Sequence, residues 1–133
     1  MKVVNILSGG AAQGLVASLA ETFKAQTSFG IEGDFGAVGV MADKLRAGTP
    51  ADLVILTRAL VTGLAGEGLV TGPSIADVGS VETALAVRSG DPLVRARDEA
   101  DLREVLRAAD AIFLPDIKAS TAGKHVAKVL DQL

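Results

Sequence analysis

Four short stretches set small residues where an apolar run gives way to a helical pattern, and these are the positions at which this chain could hold a ligand. The first is Ser8-Gly9-Gly10, inside "NILSGGAAQGLVASLAETF" (Asn5 to Phe23). A helix N-terminus offers unpaired backbone N–H groups and a partial positive charge, both suited to an anion. Glycines let the anion approach the backbone, and a hydroxyl adds a donor. An ordinary cap and tight turn ask for the same residue types, so this stretch alone serves either purpose. The second is Gly36-Ala37 in "FGAVGV" (Phe35 to Val40), where no hydroxyl stands and only the amides of Ala37 and Val38 can donate. It reads equally as a plain glycine turn. In the third, "LTRAL" (Leu56 to Leu60), Thr57 either caps the next helix or lines a cleft, and capping is the simpler role. The fourth, "PDIKASTAGKH" (Pro115 to His125), brings Ser120 and Thr121 to a helix entrance as natural N-caps, with any ligand role added to that.

Other chemistries find less in the sequence. "GGAAQG" (Gly9 to Gly14) lacks both the G-x-G-x-x-G order and a Lys-Ser/Thr pair, so neither a dinucleotide nor an ATP site is expected. The chain has no Cys and one histidine, His125, which leaves no ligand set for zinc or copper. Glu32, Asp34, Asp43 and Asp52 do not follow metal-loop spacing. No Ser-His-Asp arrangement or carboxylate pair stands out, so the expectation is a binding protein, not an enzyme, with no cofactor and no metal. A formal charge of −3 and the lack of Trp and Tyr argue against a nucleic-acid partner, which asks for a basic field or stacking platforms.

The elements that must position these loops alternate. At 133 residues the chain is the size of one ordinary domain. "KVVNIL" (Lys2 to Leu7) is a buried-strand pattern, followed by a helix with Leu15, Leu19 and Phe23 at helical spacing and Val16 and Ala20 beside them. "GIEGDFG" (Gly30 to Gly36) is a glycine-broken strand, and Val38, Met41, Ala42 and Leu45 mark a second helix. "ADLVILT" (Ala51 to Thr57) is the clearest strand, its unbroken apolar core predicting cover on both faces. A short third helix runs through Leu60, Val61 and Leu64. "SVETALAVRSG" (Ser80 to Gly90) alternates like an extended strand, and "AIFLPD" (Ala111 to Asp116) reads as one more. "DEADLREVLRAAD" (Asp98 to Asp110) and "STAGKHVAKVLDQL" (Ser120 to Leu133) are helices with clear apolar stripes. Strands alternating with helices predict an α/β fold with a mostly parallel sheet. No apolar stretch approaches the ~20 residues needed to span a bilayer. Met1-Lys2 leads straight into the first strand-like run, with no leader pattern, and the final helix stops on a stripe residue, as a cut chain would.

The residues "NILSGGAAQGLVASLAETFKAQT", "GDFGAVGVMADKLRAGTPADLVIL" and "ALAVRSGDP" together resemble the bacterial periplasmic solute-binding proteins of ABC uptake systems, the molybdate-binding proteins among them (type 2 periplasmic binding fold). "LRAGTPADLVIL" (Leu45 to Leu56) carries most of the likeness, and "AIFLPDIKASTAGKHVAKVLDQL" is similar to the passage into the second lobe. The resemblance implies two lobes closing on a ligand about crossing strands. Residues 1–88 would be the first lobe, and 89–133 the crossing segment and the start of the second. It implies a small anion, held without countercharge by Ser8, Gly9, Gly10, Gly36, Ala37, Thr57, Ser120 and Thr121. Ala37 stands where those proteins carry Ser or Thr, so one donor is lost, and another oxyanion or a small carboxylate suits the remaining donors as well as molybdate. The implied partner is an ABC permease and the implied location the periplasm. A signal-less cytoplasmic sensor or accessory protein of the same fold is the alternative.

Overall fold

The computed structural model describes residues 2–133. Three parallel strands form the sheet in the order β2-β1-β3: β1 is Lys2–Gly9, β2 Phe29–Gly36 and β3 Leu53–Ile55. Five helices accompany them: α1 (Gln13–Thr27), α2 (Val38–Arg46), α3 (Arg58–Gly66), α4 (Glu99–Ala108) and α5 (Thr121–Gln132). The α/β class with a small parallel sheet flanked by helices is as expected from the alternation.

The central strand is β1. Its last four residues, Ile6 to Gly9, are all buried, so both faces of the pleat are covered, as a parallel strand requires. β3 was expected to be the covered strand, but it lies at an edge, and Leu53 at its start is 47% exposed. Asp52 fastens that edge. Its carboxylate accepts from the Asn5 backbone N–H at 2.8 Å and from Asn5 Nδ2 at 3.1 Å, while its own N–H donates to the Asn5 carbonyl at 2.9 Å. The Asp of "TPADL" is therefore a register clamp between β3 and β1.

Helix α1 packs on β2, and α2 lies over β1 and β2 with α3 beside it. The core is small: Ile6, Leu7, Val16, Met41, Ala42 and Leu64 are buried. On α1 the inward face is Val16 with half-buried Ala20 and Phe23. Leu15 and Leu19, predicted in the stripe, are about half exposed. Arg46 at the end of α2 forks onto Glu67 after α3, Nε to Oε2 at 2.9 Å and Nη2 to Oε1 at 2.8 Å, which ties the two helix ends together. That bond holds the Glu67 carboxyl below its ordinary pKa.

Two predicted strands are not formed. Residues 80–90 and 111–116 run without sheet pairing, with Val81 76% and Phe113 95% exposed. Alternating side chains suit a strand, but a strand also needs a neighbour for its N–H and C=O groups, and none of the three in this sheet reaches these segments. Helices α4 and α5 form as predicted. Asp98 caps α4 by accepting from the Asp101 N–H at 2.8 Å, and Ser120 caps α5 by accepting from the Gly123 N–H at 3.3 Å. Arg103 of α4 reaches the Leu133 carbonyl at 2.6 Å, so the two helices meet at the end of α5. No helix among the described residues is long and apolar enough to cross a membrane.

Candidate functional site

The sheet order puts three of the four small-residue loops side by side. Ser8 pairs with Phe35 and Ile55, and Gly9 with Gly36, so the carboxyl ends of all three strands stop at one level. Gly10, Ala37 and Thr57 leave that level together. The chain moves from β1 to β2 in one direction and from β2 across β1 to β3 in the other. Loops at such a reversal part from each other and open a crevice outside the carboxyl ends of the strands, which is where open α/β sheets bind ligands.

Each loop supplies something different. β1 extends two residues further than predicted, through Ser8 and Gly9, and a 3-10 turn of Gly10–Ala12 separates it from α1. Ser8 is fully buried, and its hydroxyl donates to the Gly9 carbonyl at 2.9 Å, so it caps no helix. Gly9 is glycine for space: a Cβ there would lie 2.8 Å from Val38 Cγ1 on α2. Gly10 is exposed at the rim.

Ala37 and Thr57 occupy the N-cap positions of α2 and α3 in extended backbone conformation, and neither side chain makes a capping hydrogen bond. Thr57 was expected to cap α3, and it does not. Apart from Gly39, whose N–H is taken by the Ala119 carbonyl, the first-turn amides of α2 and α3 are consequently left open. Among the described residues, Val38 and Val40 of α2 and Arg58, Ala59 and Leu60 of α3 have no hydrogen-bond partner for the backbone N–H. Both helix N-termini, with their partial positive charge, stand at the carboxyl end of the sheet. Arg58, at the start of α3, is drawn into an ion pair with Asp77. On the β2 side Lys44 is held by Asp34.

The fourth loop also arrives at this place. The Ala119 carbonyl accepts from the Gly39 N–H at 3.2 Å, which brings the loop before Ser120 and Thr121 to the first turn of α2. The loop is shaped by Asp116, whose Oδ1 accepts from the backbone N–H groups of Lys118 and Ala119, both at 2.7 Å, while its carbonyl accepts from the Ser120 N–H at 3.0 Å. Those amides hold the Asp116 carboxyl below its ordinary pKa. Buried Gly123 fits against the Pro115 and Asp116 carbonyls. Ser120 is committed to its cap, and Thr121 is exposed at the head of α5. His125, one turn on, is exposed.

All eight residues singled out in the sequence thus stand at the ends of elements that gather at one end of the sheet. Sequence reasoning passed over Gly39 and Asp116. Asp116 had a visible signal, since Asp two and three residues before free amides forms an Asx turn. Gly39 had none, because its partner lies 80 residues away.

Residues 4–133 match the family described as bacterial extracellular solute-binding protein. The chain is also similar to an aconitate isomerase from Pseudomonas sp., 25% identical over 134 residues, which covers 96% of this chain and 49% of that protein. The chain therefore spans about half the length of the curated relative it matches.

Proposed function

Because the chain belongs to the bacterial extracellular solute-binding protein family, we propose that the carboxyl end of its sheet is one wall of a cleft that captures a small anion. The observation that carries this reading is the pair of helix N-termini without side-chain caps, α2 and α3, at the reversal of strand order. Open first-turn amides bind anions without a countercharge. Gly10 and Gly36 give the anion access to backbone, Thr57 and Thr121 add hydroxyls, and Ser8 exchanges its bond to the Gly9 carbonyl for one to the ligand by rotating about χ1. The role is capture, because amides and alcohols hold an anion at neutral pH without moving a proton.

Molybdate is not supported as the ligand. Ala37 brings no hydroxyl, and the relative's name refers to aconitate, a carboxylate. A small carboxylate is the favoured guest, taken up outside the cytoplasmic membrane and passed to an ABC permease. A calorimetric titration with aconitate, citrate, sulfate and molybdate tests this, and the ligand that binds should also raise the melting temperature. A carboxylate is expected to bind best, and Ser8→Ala should weaken it about tenfold, the value of one hydrogen bond to a charged group. Binding confined to molybdate, or an unchanged affinity in Ser8→Ala, would contradict the ligand and the contact respectively.

The relative's name favours one second reading, that aconitate is isomerised and not only held. Proton NMR of aconitate incubated with the protein separates the two, since capture leaves the ligand unchanged.

A further inference from the structure

We propose that the Gly39 N–H···O=C Ala119 hydrogen bond is a latch that positions the Ser120-Thr121 loop opposite the open helix N-termini, with Gly39 as a positioning residue for the anion site. This inference rests on the capture reading above. Among the described residues, that contact is the one hydrogen bond, backbone or side chain, joining residues 2–77 to residues 88–133. Every other polar tie stays within one half or the other, including all seven ion pairs. The placement of the fourth loop at the crevice therefore depends on a single amide.

Both partners are shaped for the contact. A Cβ on Gly39 would lie 2.9 Å from the Ala119 oxygen and 3.6 Å from its carbonyl carbon, so any larger residue pushes the carbonyl away. On the other side, Asp116 gathers the amides of Lys118 and Ala119 behind the carbonyl, which fixes the direction in which it points. Glycine in the first turn of a helix normally weakens it, and replacement by Ala normally strengthens it. Gly39 inverts that expectation because its hydrogens face a backbone carbonyl. Gly14 of α1 is the internal control, since a Cβ there meets nothing within 4 Å.

Amide exchange on the full chain, with aconitate as the probe for binding, tests the latch. In the unaltered protein the Gly39 amide should exchange at least tenfold more slowly than those of Val38 and Val40, its neighbours in the same turn. Gly39→Ala should lower the melting temperature where Gly14→Ala raises or preserves it, and should weaken aconitate at least tenfold while the β1 amides stay protected. Asp116→Ala should reproduce the loss of affinity without touching α2, which keeps the test alive should Gly39→Ala fold poorly. A Gly39 amide that exchanges as fast as Val38 and Val40, or affinity retained within twofold in both variants, overturns the latch. Failure of the unaltered chain to bind aconitate counts instead against the capture reading, and the exchange comparison then decides the contact by itself.

Discussion

At the scale of single residues, the small side chains at the carboxyl ends of the strands are there to let backbone come close. Gly9 makes the point most directly, because α2 begins where its side chain would be. Gly9→Ala should destabilise the fold by about 1–3 kcal/mol through overpacking against Val38, and Val38→Ala should recover most of it in a double-mutant cycle read by denaturant unfolding. Val38 is β-branched and stiff about χ1, so it cannot swing clear. Asp116 gives a second residue-scale expectation. Its folded pKa lies below the ordinary 3.8 because Ala119 and Lys118 donate to it. The turn it organises is fully held above that ordinary value and is lost as pH falls through the folded one. The Lys118 and Ala119 amide resonances should therefore stay fixed from pH 7 to about pH 4 and move only below that, whereas in Asp116→Asn they should not titrate. The "SGG" at the head of the chain was legible as a strand end leading towards a helix. The inward turn of the Ser8 hydroxyl was not, since a rotamer answers to neighbours that sequence spacing does not reveal.

At the scale of elements, the order β2-β1-β3 produces the site, and a few polar contacts fix it. Asp52 is the clearest of these. Asp52→Ala removes both bonds to Asn5 and leaves β3 paired to β1 mainly through Ile6, Leu7 and Ser8, so the melting temperature should fall by a few degrees, equivalent to about 1 kcal/mol, while the mid-α1 amides keep their protection. An unchanged melting temperature would mean the clamp is incidental. The α/β alternation, the short helices and the cap at Ser120 were all readable, because periodicity and capping chemistry are local. Which strand would be central was not, since "ADLVIL" is as apolar as "KVVNIL" and only pairing decides between them. Residues 80–90 and 111–116 show the same limit from the other side. Their alternation satisfies the side-chain condition for a strand, but the backbone condition is set by a partner elsewhere, and Val81 at 76% exposure and Phe113 at 95% stand on backbone that has found none here.

At the scale of the whole molecule, the arrangement is a parallel sheet that ends in open amides, belonging to a family of extracellular solute-binding proteins and matching about half the length of an aconitate isomerase. On the proposed reading, backbone dipoles supply the attraction to an anion in a chain of net charge −3, since Lys44 and Arg58 are held by Asp34 and Asp77. That separates it from a surface patch, where binding would follow exposed positive side chains and fade with salt. The most direct test is a titration of the ¹⁵N-labelled chain with aconitate, followed by amide NMR. The account predicts that the resonances of Gly10, Val38, Val40, Arg58 to Leu60 and Thr121 move together on a single binding curve. Shifts that gather instead around exposed lysines and arginines, or an absence of shifts at the starts of α2 and α3, would contradict it.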